Sequence, residues 1–120
     1  MVAATQYDPE YVPVRGDVVW IDFDPQTGNE TMKRRPALVL SSSDFNYWRK
    51  VAVVCPITRT VRTSRFDVVI PEGLSVHGAI QTDQIKCLDW HARNAVFEIE
   101  MPDEIVEQVS DIVEAIIWGA

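Results

Sequence analysis

The stretch RGDVVWIDFDPQTGNETMKRRPALVLSS, residues 15–42, gives the clearest structural signal in the sequence. Residues 17–23 alternate with a period of two and are apolar on both faces, with Val19, Ile21 and Phe23 on one and Val18, Trp20 and Asp22 on the other. The turn-forming residues of 24–29 end this strand. Residues 36–42 then predict a second strand, so the unit is strand, turn and strand.

Five more short segments rich in branched or aromatic residues follow, each bounded by turn formers. They are VAVVCPI (51–57), RFDVVI (65–70), GAIQTD (78–83), IKCLDW (85–90) and AVFEIE (95–100), and each predicts a strand. Between the second and third strands, residues 43–50 predict a helical turn or loop capped by Asp44.

The C-terminal residues 101–119 predict an amphipathic helix. Its apolar positions are Ile105, Val109, Ile112, Val113, Ile116 and Ile117. Pro102 suits the first turn, Asp103 and Glu104 are favourably placed beside the positive end of the helix dipole, and Gly119 suits the end of the helix. We therefore predict a mainly β protein with helices, a small and strongly bent antiparallel sheet or barrel packed against this helix.

Composition indicates a single globular domain over residues 1–120, with 47% apolar residues. The first residues contain acids and prolines where a signal peptide needs a basic end and an apolar block, and no apolar run is long enough to span a membrane. These features predict a cytoplasmic protein. Cys55 and Cys87 have no C-x-x-C pairing and no zinc spacing, and they are predicted to be buried free thiols. No metal or cofactor is predicted.

Charge is unevenly distributed along the chain. Residues 33–65 carry eight of the eleven Lys and Arg residues and one of the eighteen acids, a net charge of +7 within a protein of net charge -7. This asymmetry indicates either one basic surface that binds a polyanion locally or a set of solvated loops.

The order and spacing of several motifs resemble the MazF/PemK family of toxin endoribonucleases. These motifs are RGDVVWIDFDPQTGNE, RPALVLS, CPIT and TDQIKCLDWHAR, followed by the terminal helix, and the resemblance extends from Arg15 onward. It implies the toxin of a type II toxin-antitoxin pair that cuts single-stranded RNA at short sequences without a metal. It also implies a CcdB/PemK-type fold (a curved sheet or SH3-like barrel), a homodimer and a cognate MazE-like antitoxin.

Matching the family motifs position by position places the catalytic arginine at Arg35 and the catalytic threonine at Thr58. Glu30 matches the acid of the G-x-E motif, and Asp83 with Gln84 matches the D-Q pair. Thr31 and Lys33 replace a Gln and a Gly that many members carry, while Asn29 replaces a histidine and Gln81 an arginine found in one branch. These departures concern sequence preference and rate.

The chemistry of RNA cleavage is consistent with these residue types. The neighbouring 2'-hydroxyl is an internal nucleophile, so the protein has to stabilise charge on the phosphate and move protons. Arg35 is predicted to stabilise the phosphate charge because arginine binds two oxygens and stays protonated. Thr58 is a candidate donor to a second oxygen, and Glu30 either accepts the 2'-proton or forms an ion pair with Arg34 or Lys33.

The remaining candidates are RNA-binding residues. Lys33, Arg34, Arg59, Arg62 and Arg65 are expected to follow the phosphate backbone, together with the family-matched Asn29, Thr31, Asp83 and Gln84. Phe23, Tyr47 and Trp48 are candidate stacking surfaces for bases, although core packing is the commoner role of a residue such as Phe23. His77 and His91 lie in no metal-spaced cluster and receive no catalytic role.

Two other functions stay open at this point. The ending IIWGA resembles the Trp-Gly end of CcdB toxins, which inhibit DNA gyrase without enzymatic activity and share the fold. The departures at Thr31, Lys33 and Gln81 also allow an RNA-binding module that has lost cleavage.

Overall fold

The strands assemble into one antiparallel sheet. The structure is a computed structural model that describes residues 8–23 and 34–119. In these ranges the strands are β1 (Asp17–Asp22), β2 (Arg34–Val39), β3 (Ala52–Thr58), β4 (Asp67–Val69), β5 (Ala79–Gln81), β6 (Lys86–Leu88) and β7 (Val96–Glu100). The helices are α1 (Ser43–Arg49), a 3₁₀ turn at Thr82–Gln84 and α2 (Asp103–Trp118).

The strand order is β4-β5-β3-β2-β1-β7, and β6 pairs with another part of β3. The long strand β3 therefore pairs with β2 on one side and with β5 and β6 on the other. The curved antiparallel sheet with a C-terminal helix was predicted and is confirmed. Among the described residues the sheet stays open, with β4 and β7 at its ends.

Apolar residues on the two faces of the sheet form two separate cores. One core packs against the buried face of α2 and includes Val18, Leu38, Val106, Val109 and Val113. The other includes Val19, Ile21, Phe23, Val54 and Trp90. Because neighbouring residues of β1 enter opposite cores, the uninterrupted apolar sequence of β1 follows from burial on both faces.

Several local predictions were wrong. Residues 43–49 form a full helix whose N-cap is Ser42, because its hydroxyl accepts from the Phe45 N–H, while Asp44 lies in the first turn. Cys87 is exposed, whereas Cys55 is buried as predicted and burial raises its pKa to about 12. Ile116 and Ile117, predicted on the buried face of α2, are exposed.

The ends of α2 follow the prediction. Pro102 precedes the first turn, Asp103 and Glu104 lie in it, and Gly119 ends the helix in the left-handed conformation. Within the described ranges, no helix has the length and apolar character that a membrane crossing requires.

Candidate functional site

An open groove of about 970 Å³ lies where the N-terminal end of β2 meets the C-terminal end of β3. Residues Trp20, Arg35, Pro36, Thr58, Arg59 and His77 are among those that line it. The β2–β3 pairing ends at Ala37 opposite Pro56, and Arg35 and Thr58 each lie two residues beyond this last pair, where both line the groove. Strand pairing thus brings together two predicted catalytic residues that are far apart in the sequence.

Arg35 is partly buried and rests on an aromatic ring. Its guanidinium carbon lies 5.6 Å from the centre of the Phe23 ring, and Phe23 itself is 7% exposed. A cation over an aromatic face is held in place electrostatically. Among the described residues no carboxylate pairs with Arg35. Stacking on Phe23 therefore orients the Arg35 guanidinium group. With no carboxylate partner among the described residues, its charge is available to an anion.

Thr58 ends β3 and is oriented by its own loop. Its hydroxyl oxygen accepts a hydrogen bond from the Thr60 N–H at 3.2 Å. Because a hydroxyl also carries one proton of its own, Thr58 can still donate to an oxygen in the groove. The side chain is half-buried at the groove wall.

The predicted basic residues fall into two groups. Arg34 pairs with Asp22 at 2.8 Å and also donates to the Asn94 carbonyl at 2.7 Å. Hydrogen bonds from Asn94 and then Arg34, with the positive charge of Arg34, lower the pKa of Asp22. Arg59 is exposed on the groove with no ion pair among the described residues. Arg34 and Arg59 both line the groove, and of these two only Arg59 has no ion pair among the described residues.

Arg62 and Arg65 lie outside the groove, in the loop between β3 and β4. Arg62 forms a double hydrogen bond at 3.0 Å with the buried carboxylate of Asp67. This contact raises the pKa of Arg62. Arg65 stacks over Phe66 at 5.7 Å. Both cations therefore have partners within the fold.

The remaining predicted site residues either lie outside the groove or fall outside the described residues. Asp83 and Gln84 are exposed in the 3₁₀ turn after β5 and do not line the groove. Glu30, together with Asn29, Thr31 and Lys33, lies in residues 24–33, outside the described residues. The roles of all these residues stay predictions.

The aromatic candidates do not offer the expected stacking surfaces at the groove. Phe23 belongs to the second core and carries Arg35 on its ring, so little of its surface is exposed to a base. Tyr47 and Trp48 are exposed on α1, which joins the opposite ends of β2 and β3. The length of β2 separates them from the groove by on the order of 20 Å.

Trp20, which sequence reasoning did not assign to the site, supplies the aromatic wall instead. Its indole N–H donates to Glu98 Oε1 at 2.9 Å, and Ser75 donates to Glu98 Oε2 at 2.6 Å. Trp20 pairs with Pro36 across β1 and β2, which sets the ring beside the Arg35–Pro36 strand entrance. The alternation of β1 predicts that Trp20 lies on the face opposite Val19. Only the pairing of β1 with β2 shows that the Trp20 face meets the groove.

Ser75 and His77 also line the groove and were not predicted to do so. Both lie in the loop before β5, and no local motif marks them. They reach the site because β5 pairs with the end of β3, a contact between segments about twenty residues apart. In the described part of the chain, no three His, Cys, Asp or Glu side chains converge as a metal site requires.

The fold is an open antiparallel sheet with two helices and a groove lined by arginines at the β2–β3 end, and comparison with known proteins gives the family. The family model described as "PemK-like, MazF-like toxin of type II toxin-antitoxin system" matches residues 14–117. The endoribonuclease toxin MazF of Escherichia coli K12 is 39% identical over 85 residues, which cover 71% of this chain and 76% of that protein. The endoribonuclease toxin ChpB of the same strain is 38% identical over 109 residues, covering 86% and 92% of the two chains.

Solved structures agree with this match. A MazE-MazF crystal structure from Deinococcus radiodurans superposes with a TM-score of 0.86 and 34% identity over 92% of this chain and all of that chain. The MazF crystal structure from the same organism gives 0.83 and 35% identity, covering 90% and 98% of the two chains. The chain belongs to the PemK/MazF family, the endoribonuclease toxins of type II toxin-antitoxin systems, as its motifs predicted.

Proposed function

We propose that this chain is a sequence-selective endoribonuclease that cleaves single-stranded RNA in the β2–β3 groove without a metal ion. The observation that carries the proposal is the meeting of Arg35 and Thr58 at one groove wall, with the exposed charge of Arg59 beside them. RNA brings its own nucleophile, the 2'-hydroxyl, so these groups suffice for phosphate binding and charge stabilisation. DNA lacks that hydroxyl and is expected to stay intact.

In this mechanism Arg35 binds two non-bridging phosphate oxygens and stabilises the charge that gathers on them. Its stacking on Phe23 and the fixed geometry before Pro36 limit its freedom, so little entropy is lost on binding. Thr58 donates its hydroxyl proton to a neighbouring oxygen. Glu30 is the proposed acceptor of the 2'-proton, by its family-matched position.

The partners follow from family membership. The relatives include structures named MazE-MazF complexes, and we propose that an antitoxin of this kind binds this chain and inhibits it by covering the groove. We further propose that the chain acts in the cytoplasm as a single domain and forms a homodimer. An acidic or extended antitoxin segment suits a groove whose wall carries Arg35 and Arg59.

The test is cleavage of a long unstructured RNA by the purified protein in the presence of EDTA, with the cut ends mapped. Arg35→Ala is expected to lower the cleavage rate at least about 100-fold, and Thr58→Ala about 10-fold or more, because each removes a donor to the charged phosphate. The control is Arg49→Ala on α1, which removes an exposed cation at the other end of the β2–β3 pair. Intact RNA from folded wild-type protein, or unchanged cutting by Arg35→Ala, contradicts the proposal.

The gyrase alternative keeps one supporting observation, the exposure of Trp118 next to Gly119 at the end of α2. Deletion of residues 118–120 separates the two functions, since gyrase inhibition would require this end and the groove lies elsewhere. Binding of RNA without any cut product would identify the third possibility, an RNA-binding module.

A further inference from the structure

One of the two histidines of the chain lies in the groove wall. His77 lines the groove together with Arg35, Thr58 and Arg59, and its side chain is exposed there. His91 instead packs edge-on against Trp90, with ring centres 6.0 Å apart, away from this groove. His91 can therefore serve as the control in experiments on His77.

The backbone fixes the position of His77 beside Thr58. The next residue, Gly78, has a φ of 116°, and a Cβ atom added to it would lie 1.9 Å from the Thr58 carbonyl oxygen. Its own carbonyl accepts from the Ile70 N–H at 2.9 Å, and Ala79 pairs with Thr58. Glycine therefore lets the two chain segments touch, and His77 is held at that contact.

Among the described residues, the other charged groups around the groove are poor proton donors at neutral pH. Those of the described residues are the guanidinium groups of Arg34 and Arg35 from β2 and Arg59 after β3, with Glu98 of β7 behind Trp20 and Ser75. Arginine stays protonated, and Glu98 already accepts two hydrogen bonds. Imidazole is the side chain that exchanges protons between about pH 5 and 8. Of these groups His77 alone is suited to proton transfer.

We propose that His77 is the general acid of RNA cleavage, an inference that rests on the endoribonuclease function proposed above. The 2'-oxygen forms a bond to phosphorus, and its proton passes to the general base. The bond from phosphorus to the 5'-oxygen breaks, and the His77 imidazolium gives its proton to that leaving oxygen. The products are a 2',3'-cyclic phosphate and a 5'-hydroxyl, with no net change in protons or electrons.

The test uses an oligoribonucleotide that spans one mapped cut, prepared with either oxygen or sulfur at the bridging 5' position. With the oxygen substrate, His77→Gln is expected to lower the single-turnover rate about 100-fold, the usual size of a general-acid contribution. A thiolate leaves without protonation, so the variant and the wild type are expected to cut the sulfur substrate at similar rates. His91→Gln is the control and is expected to match the wild type on both substrates.

The pH profile gives a second readout that a structural role would not produce. A general acid gives the rate a pH-dependent limb, so the wild-type profile on the oxygen substrate should contain a limb that is absent from His77→Gln. Equal rates of His77→Gln and wild type on the oxygen substrate overturn the inference. So does an equal loss on both substrates, which would assign His77 to binding or folding. Absence of cutting by the wild type instead contradicts the proposed function itself.

Discussion

At the scale of single residues, the arginines in and near the groove differ in the partners that they already contact. Arg34 and Arg62 lie against the carboxylates of Asp22 and Asp67, whereas Arg35 stacks on Phe23 and Arg59 faces solvent. A cation that is neutralised in the free protein gains less from a phosphate, since its existing partner has to be given up. Phosphate affinity should therefore concentrate in the unpaired arginines.

Replacing Arg59 with Ala should accordingly weaken RNA binding more than replacing Arg34 with Ala. Each released counterion contributes about 0.7 to the salt slope for a single strand, so Arg59→Ala should lower the slope by roughly that amount. The measurement is fluorescence anisotropy with an uncleavable 2'-deoxy oligonucleotide at several salt concentrations. Equal losses for the two variants would show that the Asp22 pair does not reduce the contribution of Arg34.

A buried carboxylate gives a prediction about stability and pH. Burial raises the pKa of Asp17, the Tyr11 and Val14 hydrogen bonds partly offset this, and the charge of Glu100 adds to the increase. Because the folded pKa lies above the unfolded one, the folded state favours the protonated acid, and the free energy of unfolding decreases as pH rises through the folded pKa. The charged carboxylate is therefore destabilising at neutral pH.

Asp17→Asn is expected to raise the free energy of unfolding at neutral pH. Both hydrogen bonds reach the same oxygen of Asp17, at 2.6 Å from the Tyr11 hydroxyl and 3.1 Å from the Val14 N–H, so an amide oxygen can accept both. The gain should vanish below about pH 4, where the carboxyl is protonated in both states. Urea unfolding across this range checks it, and a variant less stable than wild type at pH 7 would show that the charged carboxylate is favourable.

At the scale of elements, the contact between β3 and β5 builds one wall of the groove. β5 is only three residues long, yet it pairs with the end of β3 that carries Thr58 and with β4 on its other side. The loop before it supplies Ser75 and His77 to the groove. A short strand can hold this loop in place because Gly78 lets the two backbones come close.

Gly78→Ala tests this contact against Gly73→Ala in the same loop. Both glycines have positive φ, 116° and 95°, but an added Cβ meets the Thr58 carbonyl only at Gly78 and meets nothing within 4 Å at Gly73. Gly78→Ala is expected to cost more than about 3 kcal/mol of stability and Gly73→Ala about 1 kcal/mol. Thermal unfolding measures both, and similar costs would mean that the backbones move apart readily.

At the scale of the whole molecule, the end of α2 presents an apolar surface away from the β2–β3 groove. Trp118 is 79% exposed and Ile117 67%, and both border an apolar cavity of about 340 Å³ that Leu40, Val53 and Ile85 also line. A projecting tryptophan and a concave apolar cavity on one chain suit isologous pairing, in which the same surface contacts itself. This surface is our candidate for the proposed homodimer contact.

Trp118→Glu should weaken self-association by about 30-fold or more, because a buried aromatic anchor contributes at least about 2 kcal/mol at an interface. Trp48→Glu is the matched control, since Trp48 is also highly exposed but lies on α1. Sedimentation velocity over a range of concentrations measures the dissociation constant. Equal association of both variants and the wild type would place the contact elsewhere.

The sequence by itself determined the features that depend on neighbouring residues. The alternation in β1, the strand entrance at Arg35–Pro36, and the proline, acids and glycine that delimit α2 are local signals, and each lies in the element predicted for it. Local signals failed where a surface depends on distant elements. Ile116 and Ile117 continue the apolar period of α2 but are exposed, and Cys87 is exposed on β6.

Only the tertiary structure decided the composition of the groove. The pairing of β2 with β3 brought Arg35 and Thr58 to the same groove. Ion pairs with Asp22 and Asp67 distinguish Arg34 and Arg62 from the arginines that have no carboxylate partner among the described residues. The pairing of β5 with β3 brought in His77, which no sequence motif marks. The physical reason is that backbone propensity acts over a few residues, whereas strand pairing and charge pairing join segments through space and are settled only when the chain packs.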